Sequence, residues 1–209
     1  INRDDYLDKI YPLLTDVKKV FISESKRRDW DINGTVIIPG IDVDQYGGYT
    51  GESRSVLRVG NLLKERDLMM GYSDGEIVLS GFPSITLGMN PNIPDSMLSS
   101  GFNDLLEHYR SQRVFLNTTV ENYEDGYNLA LLEAMAVGMP VISTANETSP
   151  IENGVNGFIS NDLKFLRQCT LKLLDDPSLA KALGKKSKET VRNKFPKSKF
   201  IRLWKQCIH

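Results

Sequence analysis

Residues 124–140 read EDGYNLALLEAMAVGMP and predict a helix over residues 126–137 that is apolar on almost every side. A helix of that composition is buried inside a larger fold. The apolar run is interrupted by one carboxylate, Glu133, and a buried carboxylate needs partners. Two interpretations follow: Glu133 is the polar side of a helix, since Glu is a good helix former, or its donors come from a bound ligand. The helix by itself favours the first.

The segments around this helix alternate between strand and helix. Strands are predicted at residues 56–60, 76–80, 114–117, 141–144 and 158–159, and helices at residues 63–70 and 102–112. This order is typical of an α/β fold, a Rossmann-like parallel sheet with helices on both faces. Most of residues 72–100, which are rich in Gly, Pro, Asn and Ser, give no further element.

The two ends of the chain have a different organisation. A helix over residues 4–14 and short strands at 20–22 and 35–38 precede a polar, Gly-rich linker at residues 42–55. Residues beyond 160 predict helices, with a break at Asp176-Pro177. The last residues place Phe200, Leu203 and Trp204 on one helical face among basic side chains, which predicts an amphipathic helix.

Composition excludes several classes of function. The 209 residues carry 26 Lys and Arg against 27 Asp and Glu, so the overall charge predicts no nucleic-acid partner. Only two Cys and two His are present, which excludes a disulfide framework, a His-based metal cage and a Ser-His-Asp triad. No apolar run is long enough to span a bilayer. These features predict a cytoplasmic protein, with a basic segment between residues 181 and 205.

Two glycines follow predicted strands where a parallel sheet binds its ligands, beyond the carboxyl ends of the strands. Gly126 opens the apolar helix, and a helix N-terminus binds phosphate through unpaired N–H groups. Gly60 and Asn61 follow the strand at 56–60, with Lys64 and Arg66 a few residues on. No GxGxxG or GxxxxGK[ST] motif is present. The pattern therefore predicts a diphosphate held by backbone amides and cations.

The run DGYNLALLEAMAVGMPVI at residues 125–142 resembles the signature of retaining GT-B glycosyltransferases, in particular glycosyltransferase family 4. GVNGF at residues 154–158 resembles the turn that follows it, and VGNLLKER at 59–66 resembles the family's phosphate loop. FISES at 21–25 and VIIPGID at 36–42 look like the end of the first domain and the interdomain connector. The resemblance implies the C-terminal, donor-binding half of such an enzyme.

The resemblance also implies roles for individual residues. Glu133 would bind the ribose of a nucleotide-diphosphate sugar, and Gly126, Tyr127, Asn128 and Leu129 would contact the sugar and diphosphate through backbone amides. Asp125 would face the transferred sugar, and Arg66 would take the place of the family's lysine, with Lys64, Gly60 and Asn61 beside it. Asn61 stands where the family has arginine, and the loop at 145–149 is shorter than usual. No metal or other cofactor is implied.

The implied organisation has three parts. Residues 1–45 would end an N-terminal acceptor domain and form the connector, 46–195 would bind the donor, and 196–209 would cross back as an amphipathic helix. The acceptor, a glycan, a lipid-linked molecule or a protein, would bind mainly to a domain absent here or to a separate subunit. A peripheral contact with the inner face of a membrane is the alternative for the last helix. Alternatives for the function are a non-catalytic nucleotide-sugar-binding or scaffold module and a nucleotide-sugar epimerase.

Overall fold

A five-stranded parallel sheet forms the centre of the protein in the computed structural model, which describes residues 3–123 and 126–208. Along the sheet the strands are β4 (Ser84–Leu87), β3 (Ser53–Val59), β5 (Gln112–Asn117), β6 (Val141–Ser143) and β7 (Gly157–Ile159). Every neighbouring pair is parallel. The predicted Rossmann-like α/β fold is therefore confirmed.

Helices cover both faces of this sheet. They are α4 (Tyr72–Leu79), α5 (Phe102–Ser111), α6 (Leu129–Val137), α7 (Leu163–Asp175) and α8 (Pro177–Lys194). Successive strand residues face opposite sides, so Leu57 packs with α5 and α6 while Val56 packs with α4 and α7. The break at Asp176-Pro177 is confirmed, because the Asp176 side chain accepts a hydrogen bond from Leu179 N at 2.9 Å and caps α8.

The strand predicted at residues 76–80 is wrong, because these residues lie in α4 and the loop after it. Gly75, Val78 and Leu79 are buried while Ile77 is 54% exposed, which is the spacing of a helix face. A short apolar run does not distinguish the two structures. The edge strand β4 instead lies in the segment left without an assignment, and the helix predicted at 63–70 is reduced to α3 (Asp67–Met70).

The apolar helix is shorter than predicted at its beginning. It starts at Leu129 rather than Gly126, because the Asn128 side chain accepts a hydrogen bond from Leu131 N and caps the helix. It ends at Gly138, whose φ of +101° lies in the left-handed region that favours glycine. Gly126 and Tyr127 therefore belong to the loop between β5 and α6.

The first part of the chain forms a separate small layer. It contains α1 (Arg3–Ile10), a 3-10 turn (Tyr11–Leu14), β1 (Val20–Phe21), α2 (Glu24–Trp30) and β2 (Thr35–Val36). The strands β1 and β2 form a two-stranded parallel sheet. Ser23 caps α2, since its side chain accepts a hydrogen bond from Lys26 N. A 3-10 turn (Val43–Gln45) interrupts the predicted linker, and β3 begins within the last residues of that linker.

The last helix, α9 (Lys197–Ile208), runs back towards the first part of the chain. The Phe200 side chain lies against Gly40, and Lys18 Nζ donates a hydrogen bond to the Cys207 carbonyl at 2.6 Å. Lys197 forms an ion pair with Asp42 at 3.0 Å. The division into residues 1–45, 46–195 and 196–209 stays a prediction. Within the described residues, no helix combines the length and apolar composition needed to cross a membrane.

Candidate functional site

The predicted site residues flank the point where the chain changes direction along the sheet. From β3 the chain continues to β4 on one side, and from β5 it continues to β6 on the other, although β3 and β5 are neighbours. The crevice at such a reversal of strand order, beyond the carboxyl ends of the strands, is the usual ligand position in these sheets. Gly60 follows β3, and Gly126 to Leu129 follow β5 in the loop and at the start of α6.

The loop after β3 is tied to the loop after β5. Val120 N donates a hydrogen bond to the Met69 carbonyl at 2.9 Å, and Thr118 Oγ1 donates to the Met70 carbonyl at 3.0 Å. Gly71, with a φ of +57°, lies directly on the Thr118 carbonyl, where a Cβ would overlap it. The segment that carries Lys64 and Arg66 is thus fixed to the end of β5.

Asn90 holds the turn that begins at Gly60. Its Nδ2 donates to the Gly60 carbonyl at 2.9 Å, and its Oδ1 accepts from Leu63 N at 2.9 Å. The side chain is buried, with 3% of the residue exposed. Asn90 was not predicted as a site residue, because β4, the strand that precedes it, was missed.

The polar residues of the same loop have different partners. Asn61 is exposed, and its Oδ1 accepts a hydrogen bond from Met89 N at 2.8 Å. Lys64 Nζ donates to the Asn92 carbonyl at 3.4 Å, a weak contact at the surface. The exposed Arg66 side chain has no hydrogen bond or ion pair with any residue that the structure describes. Of the two cations in this loop, Arg66 is therefore the one whose charged group is free to bind a ligand.

A network of amides and hydroxyls holds the start of α6. Asn128 Nδ2 donates to Asn117 Oδ1 at 3.0 Å, and Thr119 Oγ1 donates to the same oxygen at 2.8 Å. Asn117 Nδ2 in turn donates to Ser143 Oγ at 3.0 Å. The ends of β5 and β6 therefore position the helix N-terminus. Asn117 and Thr119 were not predicted as site residues from the sequence.

The helix start presents backbone donors. Asn128 satisfies Leu131 N, whereas the N–H groups of Leu129 and Ala130 find no acceptor among residues 3–123 and 126–208. These groups carry the partial positive charge of a helix N-terminus. The Leu129 side chain is 54% exposed, and Tyr127 packs edge-on against Phe195 with ring centroids 5.0 Å apart. Tyr127 thus has a packing partner in the core.

Gly126 lies where the loop meets the first part of the chain. Its φ is +150°, and an added Cβ would overlap the Ile22 side chain. Its carbonyl accepts a hydrogen bond from Thr148 Oγ1 at 2.7 Å. The loop after β6 also meets this part, through an ion pair between Arg28 and Glu147. Asp125, which was predicted to face the sugar, lies outside the described residues.

Glu133 is a half-buried carboxylate with two tyrosine donors. Tyr46 Oη donates to its Oε1 at 3.3 Å, and Tyr109 Oη donates to its Oε2 at 3.1 Å. Burial raises the pKa of Glu133, while the hydrogen bonds from Tyr109 and Tyr46 lower it. Burial and the Glu133 charge raise the pKa of Tyr46 to about 12, and that of Tyr109 well above its usual value. Both hydroxyls therefore stay protonated at neutral pH, and Glu133 is not a solvated surface carboxylate.

Metal-ligating side chains are scattered rather than clustered. Across the part of the chain that the structure describes, no group of three or more His, Cys, Asp or Glu side chains could hold a metal ion. His108 lies 3.9 Å from Asp104 on α5, and its side chain is 22% exposed. The predicted polar groups are therefore the backbone amides at the start of α6, Lys64 and Arg66 on the loop after Gly60, and the Glu133 carboxylate within α6.

Comparison with known proteins gives matches over most of the chain. Residues 83–176 match the family model of the glycosyl transferases group 1. The capsular polysaccharide biosynthesis glycosyltransferase CapM of Staphylococcus aureus is 31% identical over 133 residues, which cover 61% of this chain and 33% of CapM.

Two solved structures have the same fold. A variant of S. aureus TarM in complex with fondaparinux, alpha-GlcNAc-glycerol and UDP superimposes with a TM-score of 0.73 at 17% identity, over 92% of this chain and 44% of TarM. Anabaena HepE in complex with UDP-glucose superimposes with a TM-score of 0.75 at 14% identity, over 99% of this chain and 67% of HepE. The match thus spans a third of CapM and less than half of TarM.

Proposed function

We propose that this chain is a group 1 glycosyl transferase, the family whose model matches residues 83–176, and that it binds a nucleotide-diphosphate sugar in the crevice between the loops after β3 and β5. It would take part in the transfer of the sugar to an acceptor hydroxyl with retention of configuration. The observation that carries the proposal is the position of Glu133. It is a half-buried carboxylate in the helix whose open N-terminus lies at the crevice.

The diphosphate would be held at two places. The N–H groups at the start of α6 form one, and Arg66 with Lys64 on the loop after Gly60 forms the other. Hydrogen bonds from charged groups contribute about 1.5–3 kcal/mol each. Three or four such contacts are enough for binding in the micromolar range after the loss of ligand freedom.

The ribose would bind at Glu133. A carboxylate has about four acceptor sites, and Tyr46 and Tyr109 use two of them. The vicinal hydroxyls of a ribose would donate to the same carboxylate. Because the carboxylate is already desolvated in part, added donors have less water to displace. UDP is the first nucleotide to test, since HepE was solved with UDP-glucose and TarM with UDP.

Transfer would depend on charge that develops on the leaving diphosphate. Arg66 and the α6 amides are the groups that would stabilise this charge, and fixed donors of this kind typically contribute about 100- to 1,000-fold in rate. Asp125 is proposed to face the transferred sugar, and the acceptor hydroxyl would attack from the side that the diphosphate leaves. Protein cations take the place that a metal ion would have, so no metal is required in this scheme.

The acceptor would be a glycan, a lipid-linked molecule or a protein bound to further polypeptide. A cavity of about 360 Å³ opens beside β1 and α2, and Val17, Phe21, Ile22 and Trp30 are among its lining residues. A two-stranded sheet alone is marginally stable, so this surface fits packing against more of an acceptor domain or a separate subunit. Faster hydrogen exchange at Phe21 and Val36 in the isolated chain than in the complete natural polypeptide would support this. Equal exchange would contradict it.

The last helix could also contact a membrane. Ile201, Trp204 and Ile208 of α9 are 41%, 36% and 71% exposed, and the helix carries basic but no acidic residues. Such a surface suits an anionic bilayer. Co-sedimentation with vesicles of an anionic lipid, lost in Trp204→Ser, tests this. Equal sedimentation of both proteins would argue against it.

Both described cysteines are unpaired, which supports a cytoplasmic setting.

A thermal-shift screen with UDP, GDP, ADP and their sugars tests donor binding. A ligand at a hundred times its Kd adds about 2.7 kcal/mol of stability. We expect a shift with one nucleotide class, its loss in Glu133→Ala and its retention in Glu107→Ala, an exposed glutamate on α5. A response to none of the nucleotides, or an equal response of the two variants, would overturn the proposed site.

A transfer assay separates the enzyme from a non-catalytic binding module of the same fold. The module is favoured by one observation: Asn61, in the position of the family's arginine, has its Oδ1 engaged by Met89 N. In the complete natural polypeptide, Arg66→Ala should reduce transfer at least 100-fold while nucleotide binding persists. If wild-type protein binds nucleotide but hydrolyses or transfers no sugar, the binding module is the correct function.

A further inference from the structure

The two tyrosines that contact Glu133 differ in how firmly they are held. Tyr109 on α5 is 1% exposed, its ring packs against Phe115 with centroids 6.0 Å apart, and its hydroxyl also lies 3.2 Å from the Ala130 carbonyl. Tyr109 is therefore surrounded by core residues and by the backbone of α6. It cannot leave Glu133 without opening a cavity, which is unfavourable.

Tyr46 has a looser position. It is half-buried in the segment before β3, with its ring edge-on to the partly exposed Phe102 at 5.7 Å. Its hydroxyl is 3.3 Å from Glu133 Oε1, longer than the 2.5–2.7 Å typical of a hydroxyl bonded to a carboxylate. Because Tyr46 is only half-buried, a rotation of its side chain can break this bond without opening a cavity in the core.

We propose that Tyr109 is a fixed positioning residue for Glu133, and that Tyr46 is an exchangeable donor whose place on Oε1 is taken by a ribose hydroxyl. This inference rests on the proposed function. In the free protein both carboxylate oxygens have donors, so the half-buried charge is not left unpaired. In the complex the Tyr109 bond to Oε2 persists and the ribose O–H replaces the Tyr46 O–H. No covalent bond changes.

The loss of each hydroxyl should therefore have a different effect on nucleotide affinity. Tyr109→Phe keeps the ring but leaves Glu133 Oε2 without its donor, so nucleotide affinity should fall about 3- to 10-fold, the value of one hydrogen bond. Tyr46→Phe removes a group that competes with the ribose, so affinity should stay equal or rise up to about 5-fold. A purely structural role of both residues would weaken binding in both variants.

The experiment uses UDP and 2′,3′-dideoxy-UDP with wild type, Tyr109→Phe and Tyr46→Phe. Tyr49→Phe is the matched control, because that hydroxyl donates to the Arg113 carbonyl at 2.7 Å and should affect stability without affecting UDP affinity. We expect the loss in Tyr109→Phe to disappear with the dideoxy ligand, which lacks the hydroxyls that meet Glu133. The ratio of the two affinities in one protein sample is independent of the fraction that is folded.

The outcomes distinguish this inference from the function on which it rests. If wild type binds UDP and Glu133→Gln weakens binding, but both tyrosine variants change affinity in the same direction or not at all, the division of roles is wrong and the site stands. If the Tyr109→Phe loss is the same for both ligands, the residue does not act through the ribose contact. If wild type binds no nucleoside diphosphate, the proposed function fails and this inference with it.

Discussion

Replacement of Asn90 by Ala removes both clamps of the turn that begins at Gly60. The side chain bonds the Gly60 carbonyl and the Leu63 N–H, each at 2.9 Å. Leu63 is 7% exposed, so its N–H cannot turn to water and carries the full penalty of an unpaired buried group, about 1–3 kcal/mol. Gly60 is half-buried and its carbonyl regains a hydrogen bond from water. The loss of the Asn90 hydrogen bond to this carbonyl therefore costs about 0.5–1.5 kcal/mol. The expected destabilisation is therefore about 1.5–4.5 kcal/mol.

Urea unfolding of Asn90→Ala and Asn92→Ala measures this difference. Asn92 is in the same loop but exposed, and its Nδ2 bonds the exposed Glu65 side chain, so its loss should change stability by less than about 0.5 kcal/mol. Asn90→Ala should also weaken nucleotide binding more than Asn92→Ala, since Lys64 and Arg66 follow the turn. Equal unfolding free energies for the two variants would refute the clamp.

Three further changes test other parts of the structure. Gly184→Ala places a Cβ on the Gly138 carbonyl where α8 crosses the end of α6, and urea unfolding should show a loss of about 1–3 kcal/mol; no loss would contradict this packing. Asp176→Ala removes the cap of α8 and should lower the free energy of unfolding by about 1 kcal/mol in the same measurement. Asp176→Asn should retain most of the stability that the cap contributes. The pKa of Glu133, faced by the titratable groups Tyr46 and Tyr109, is raised by burial, so the folded state binds its proton more tightly than the unfolded chain. Unfolding free energy should therefore fall as pH rises from the usual Glu value of about 4.3 through the raised value, relative to Glu133→Gln; a rise would contradict the sign.

The fold could be predicted from the sequence where apolar periodicity and glycine punctuation agree. The strands at β3, β5 and β6 and the helix α5 follow from runs of adequate length, and Asp176-Pro177 marks a helix junction by side-chain chemistry alone. The prediction failed at α4, because a short run with three apolar residues fits a strand as well as a helix. Only the packing of this segment against α7 favours the helix. The missed β4 follows from the same error.

The site could be predicted less completely than the fold. Gly60 and Gly126 were located by their positions after strands, and Glu133 by its apolar surroundings. The residues that hold them were not, because Asn90 and Asn117 act through hydrogen bonds to segments far apart in sequence. Asn, Ser and Thr in loops also serve as ordinary turn residues. Only the register of the strands shows which of them meet.

The crevice is assembled by neutral amide clamps rather than by charged ones, and this has a consequence for its electrostatics. Asn61, Asn90, Asn117 and Asn128 use side-chain amides to fix the two loops. A neutral clamp adds no net charge, so the positive field at the site comes from Arg66, Lys64 and the α6 N-terminus, with the Glu133 carboxylate as the negative group. Exposed Arg66 has no partner to oppose it among the described residues, so an anion need not displace a protein carboxylate. Nucleotide binding should therefore weaken with added salt, and Arg66→Gln should remove most of that salt dependence while Asn61→Ala leaves it unchanged.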